Sequence, residues 1–153
     1  MQEHRNFYDK ERGYLIDNRS YKYVMSFNSL LPEFVSWWLF NEPILTYEMV
    51  VNTLDKIVVS HGYSPIMSHI ENIFFMMEDK PFLPDMYWAN GQYYNGGSWI
   101  REEICGYVAG MKYRWKPAEK RIKDRLIAEI NTHPDQPFSH EFIPLDLNQP
   151  GCW

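Results

Sequence analysis

Between residues 29 and 40 the chain leaves almost no polar face: Leu30, Leu31, Phe34, Val35, Trp37, Trp38, Leu39 and Phe40 are apolar on every side of a helical wheel. That pattern predicts a buried helix. Ser29 suits its cap, and Pro32 is tolerated in its first turn. Asn41-Glu42-Pro43 stops it, and the pattern then changes. Over 47–59, Val50, Val51, Leu54, Ile57 and Val58 form one stripe, with Glu48, Asn52, Asp55 and Lys56 off it. This is a helix covered on one face. Thr46 starts it, and Leu45 and Val50 hold the two positions of a hydrophobic staple. A buried helix, a short turn and an amphipathic helix make an αα-hairpin.

The same order returns later. Over 98–113, Trp99, Ile100, Ile104, Cys105, Tyr107, Val108, Ala109 and Met111 surround most of a helix, with Gly106 and Gly110 one turn apart. Each of those glycines costs about 1 kcal/mol relative to alanine, so close approach of a neighbouring element is the expected compensation. Pro117 opens a partner helix over 117–131, with Ala118, Ile122, Leu126 and Ile130 down one side. Two hairpins of this kind form a weak repeat. Its natural geometry is a double ring of inner and outer helices, with the segments before the inner helices lining one mouth. Two hairpins close no ring, so a flank of inner helix should stay open and apolar, and self-association through it is expected.

The remaining stretches refine this all-α picture. Residues 1–18 are polar and mixed in charge, with Gly13 breaking any period, and read as loop or poorly packed chain. Tyr21-Lys22-Tyr23-Val24-Met25 reads as a short extended piece. The segment 60–97 is rich in Pro, Gly and aromatics, with at most a short helix around 69–77; connections of that length inside a domain are usually functional. With 153 residues, the chain fits one domain.

A formal net charge of −5 leaves no basic stripe for phosphates, which argues against nucleic acid as a partner. Lys116, Lys120, Arg121, Lys123 and Arg125 interleave with Glu119, Asp124 and Glu129 like an ordinary solvated helix face. Cys105 and Cys152 read as free thiols, and the five scattered histidines offer no i, i+4 pair, so no metal and no cofactor are predicted. No run approaches a membrane span, and Met1 to Lys10 contain no apolar leader; if Met1 is a true start, a cytoplasmic protein is expected.

The stretch with the most chemistry is Tyr93-Tyr94-Asn95-Gly96-Gly97-Ser98-Trp99. Its two glycines let main-chain N–H groups approach a ligand closely, and Ser98 can cap the helix that follows. Glu102 and Glu103 then sit one turn in, where they complement the helix dipole. Downstream lies Phe138-Ser139-His140-Glu141-Phe142-Ile143-Pro144.

These two segments, in this order, resemble the six-hairpin (α/α)6-toroid glycosidases that include glucoamylases, trehalases and glycogen-debranching glucosidases. The first is similar to the Tyr-x-Asn-Gly-Gly-x-Trp signature that opens a late inner helix in debranching-enzyme-like members. The second resembles the Glu-(Tyr/Phe) segment that carries the general base after a late outer helix. The resemblance covers roughly residue 26 to the end. It implies an all-α fold forming part of a toroid, and an inverting glycoside hydrolase acting on α-glucosidic or related oligosaccharide linkages. Glu141 would be the general base. Tyr94, Asn95, Gly96, Gly97 and Trp99 would shape the sugar pocket, and Asn28 holds the equivalent place before the first inner helix.

Inverting hydrolysis needs a protonated carboxyl at the departing oxygen and a carboxylate to activate water on the opposite face, about 6.5–9.5 Å apart. The family places the acid in an earlier hairpin. Glu71, Asp85, Glu102 and Glu103 match no acid motif here, so the resemblance implies the C-terminal part of a toroid, inactive alone. Two other readings stand beside it: a non-catalytic carbohydrate-binding or helical interaction module, and a sugar epimerase or isomerase on a similar toroid. The latter needs a histidine pair, and His140 has no obvious mate.

Overall fold

The stripe at Val50, Leu54 and Ile57 is the spine of the core, with all three side chains fully buried on α3, Tyr47–His61. The computed structural model describes residues 2–16, 24–61, 76–77 and 99–132, and these are mostly helical. Thr46 accepts the Met49 N–H at its hydroxyl (3.3 Å), and Leu45 and Val50 beside it both join the core. Glu48 and Asp55 stay at the surface. Before α3 come a 3-10 turn, Phe27–Leu30, and α2, Leu31–Phe40. α4, Ile100–Lys112, and α5, Ala118–Thr132, pack on each other as the expected second hairpin, whereas α2 and α3 pack mainly on α4 and not on each other as the expected first one would. The helix bounds agree with the sequence pattern to about two residues, the usual uncertainty of helix ends.

α4 is the central element, packed against α5, α2, α3 and the 3-10 turn. Its two glycines explain how it touches so many neighbours. A Cβ on Gly106 would lie 2.6 Å from Phe27 Cδ1, and one on Gly110 would lie 2.7 Å from Leu54 Cδ1 and 3.1 Å from Trp115 Cε3. Phe27 continues onto Tyr107 edge to face, with ring centroids 5.1 Å apart, and Tyr107 stacks on Trp115. Because the Phe27 ring is fully buried, Gly106→Ala cannot be relieved by a swing into solvent. We expect that substitution to destabilise by about 1–3 kcal/mol in urea unfolding despite alanine's better helix propensity, and equal or higher stability would mean that the contact is loose.

α2 differs from its expectation as a buried helix. Its two fully covered side chains are polar, Glu33 and Ser36, whereas Trp38, Leu39 and Phe40 are 73%, 59% and 68% exposed. The cause is what α2 must receive on its inner side. The turn between α2 and α3 presents the N–H groups of Ile44 and Leu45, which donate to Glu33 Oε2 at 3.0 and 2.8 Å. Ser36 Oγ donates to the Glu42 carbonyl at 2.8 Å. Polar side chains therefore take the most covered positions, Phe34, Val35 and Trp37 are half-buried, and Trp38, Leu39 and Phe40 point outward. Ser29 is not a helix cap either: its Oγ donates to the Ser26 carbonyl within the 3-10 turn, and α2 begins without a side-chain cap.

The start of the chain is also corrected. Within 2–16 a short helix α1, Gln2–Arg5, leads into an antiparallel pair, β1 Tyr8–Asp9 and β2 Tyr14–Leu15. Asp9 Oδ1 accepts the N–H groups of Glu11 and Arg12, both at 3.0 Å, and Gly13 adopts φ +76 to finish the turn. Those bonds, that of the Arg12 N–H foremost, hold the Asp9 carboxyl below its ordinary range. Tyr14, Leu15 and Ile16 then enter the core, with the Leu15 N–H donating to Thr53 Oγ1 of α3 at 2.9 Å. Two-residue strands are too short to leave a period in the sequence, so polar neighbours hid them. The extended piece at Val24–Met25 is present as β3, antiparallel to β4, Met76–Met77. Residues 76–77 are thus strand, where the sequence suggested the end of a short helix.

Candidate functional site

Trp99 is the N-cap residue of α4, with an extended backbone (φ −104, ψ 108) and no side-chain cap. Its carbonyl accepts the Glu103 N–H at 3.0 Å, and its indole is 2% exposed, which anchors the head of α4 in the interior. The cap thus falls one residue after Ser98, which lies outside the described residues. Tyr94, Asn95, Gly96, Gly97 and Glu141 lie outside them as well. Asn28 is exposed in the 3-10 turn. Since Phe27 of that turn meets Gly106, the turn packs against the middle of α4, about 10 Å along the helix axis from Trp99.

Immediately after Trp99 the first turn of α4 buries two carboxylates, Glu102 and Glu103. Glu102 Oε1 accepts Arg101 Nε at 2.9 Å and Nη2 at 2.6 Å. Glu103 Oε2 faces Arg125 Nε of α5 at 3.4 Å, with both side chains inaccessible to solvent. Arg121 is buried on the same helix as Arg125. The basic residues of α5 are therefore not one solvated face. Two of them are covered, and Arg125 turns inward to face the buried Glu103 carboxylate, which needs a cationic partner. The apolar row on α5 correspondingly drifts outward, from Ala118 at 1% exposure to Ile130 at 44%.

The pairing also fixes direction. α5 runs antiparallel to α4, since Ala118 donates its N–H to the Trp115 carbonyl just past the end of α4 while Arg125 reaches Glu103 near its head. The end of α5 therefore returns to the end of the hairpin where Trp99 stands.

Two further groups have shifted acidity. Burial, with Glu102 adding to it, pushes the Cys105 thiol up, so it stays protonated and is a poor nucleophile at neutral pH. Burial and the hydrogen bond to Glu33 push the Tyr113 phenol well up, so it remains a donor. Among the described residues no group of three or more His, Cys, Asp or Glu side chains could hold a metal ion. No described helix is long and apolar enough to cross a membrane.

Sequence reasoning missed the buried roles of Glu33, Glu102, Glu103, Arg121 and Arg125. For Glu33 a signal existed: a lone carboxylate inside an otherwise apolar helical run either disrupts the helix's packing or organises it. For the α4–α5 cluster no one-dimensional signal existed, because its charges alternate as they would on an exposed face. The fold and the placed residues define a mostly helical protein in which α4 is packed by α2, α3 and α5, with a buried Glu103–Arg125 pair between α4 and α5. Comparison with protein-family models, with curated proteins and with solved structures finds no match to this chain.

Proposed function

We propose that this chain is the base-bearing part of an inverting glycoside hydrolase of the (α/α)6-toroid class, acting on α-glucosidic or related oligosaccharide linkages. Glu141 takes the proton from the attacking water. Tyr94, Asn95, Gly96 and Gly97 shape the sugar pocket, with Asn28 at its margin, while Trp99, whose indole is buried, holds the head of α4 beneath it instead of stacking on sugar. The observation that carries this reading is the antiparallel return of α5 along α4. The segment with the Asn-Gly-Gly signature enters the hairpin at Trp99, and the segment leading to Glu141 leaves it after Thr132, at the same end. The chain thus enters and leaves this helix pair at one end, which supports a meeting of the two motifs, as a base acting across a sugar requires. A second carboxyl, the general acid, must come from another hairpin of the ring.

The test is stereochemical. Joined to the helix pairs that complete the ring, the sequence should hydrolyse an α-linked glucoside and release the β-anomer first, read by proton NMR before mutarotation. The chain alone should release none. Release of the α-anomer, or no hydrolysis by the completed ring, would overturn the proposal. One observation favours a helical interaction module as a second reading: the exposed apolar end of α2.

A further inference from the structure

α2 and α4 leave a groove of about 290 Å³ between them, lined by Phe34, Trp37, Trp38, Val108, Ala109 and Lys112. Phe34 and Trp38 stack along one wall, and Lys112 Nζ stands 5.1 Å above the Trp37 ring. One residue beyond the wall the helix ends in Leu39 and Phe40, both exposed, before Asn41 turns the backbone away at φ +53. A hole and a knob therefore share one helix end. The lining is mostly apolar, with Lys112 as its one charged side chain.

From this arrangement we propose that the α2–α4 groove is a self-association surface, in which Leu39 and Phe40 of each copy enter the groove of the other around a two-fold axis. Adjacent knob and hole are what an isologous contact needs, because the same patch must serve both sides. The groove volume accommodates one aromatic side chain from the partner. Charge agrees with this occupant. Glu42 is exposed two residues past the knob, and Lys112 is exposed at the groove, so docking the knob brings a carboxylate of one copy toward an ammonium of the other, twice per dimer. Area agrees as well. Trp38, Leu39, Phe40 and Met111 expose on the order of 500 Å² of largely apolar surface, a large patch for a monomer, and the groove walls add to it toward the roughly 800 Å² per partner of a standard interface. The inference concerns a surface along α2 and the later turns of α4, past Trp99, and does not rest on the hydrolase reading.

Sedimentation velocity of the 153-residue chain over a range of micromolar concentrations tests it. A monomer–dimer equilibrium is expected. Glu42→Lys and Lys112→Glu should each weaken it about tenfold or more by facing like charges, and the double variant should restore it. Phe40→Ser should abolish it. All three positions are exposed, so circular dichroism should show unchanged helicity in every variant. Monomers throughout, dimers indifferent to Phe40→Ser, charge variants that do not rescue one another, or open-ended aggregates would each overturn the proposal, the first by leaving the groove to a different chain.

Discussion

Replacing Glu33 by alanine is expected to lower stability by about 3–5 kcal/mol, a large share of the 5–15 kcal/mol typical of a domain. The Glu33 carboxylate is inaccessible to solvent, and it is the acceptor for the Ile44 and Leu45 N–H groups and for the Tyr113 hydroxyl, the last at 2.5 Å. Truncation leaves the two backbone donors without a partner, and each costs about 1–3 kcal/mol when buried. Tyr113 is spared, because its hydroxyl also reaches the Leu45 carbonyl at 2.9 Å and can turn wholly toward it. Glu33→Gln keeps one carbonyl oxygen for the turn and should lose less than half as much. Urea denaturation of both variants gives the ranking. An alanine variant within about 0.5 kcal/mol of the parent would show that the turn does not depend on the carboxylate.

Glu141→Gln, in a protein whose ring is complete, is expected to reduce kcat by about 10²- to 10⁴-fold with little change in KM. The amide keeps the shape and much of the hydrogen bonding of the side chain but cannot take a proton from water. Loss in kcat alone separates a base from a residue that merely holds substrate, since removing a holding contact raises KM instead. The acidic limb of the kcat–pH profile, which reports protonation of the base, should disappear together with the rate. Turnover within a few-fold of the parent would mean that another group activates water.

Helix positions were legible because they rest on period. Val50, Leu54 and Ile57 recur with the helical repeat, and Gly106 with Gly110 marked a close contact before the contact was seen. Sidedness was less legible. Eight apolar residues in α2 and its approach gave no hint that Glu33 and Ser36 would be the covered ones, because that choice is made by the turn at Ile44 and Leu45, outside the helix. The same holds for Arg125, whose inward orientation is set by Glu103 about twenty residues earlier on a different helix. Of the predicted site, Trp99 stands at the N-cap of α4 with its indole buried, a sidedness that the motif did not reveal. Asn28, read as lying before the first of these helices, stands in the 3-10 turn that leads into α2.

The bonds that join Tyr113 to Glu33 and Leu45 tie the far end of α4 to α2 and to the turn before α3, while Gly106 and Gly110 seat the body of α4 on Phe27 and Leu54. The chain between His61 and Ile100 is held at a further point, where β4 pairs with β3. Between such fixed points, doubling a chain's length adds only about 0.6 kcal/mol of closure entropy, less than the expected cost of losing Glu33. The contacts that set α4 on α2 and α3 thus form a framework with its own fasteners, separate from the segment that carries the signature.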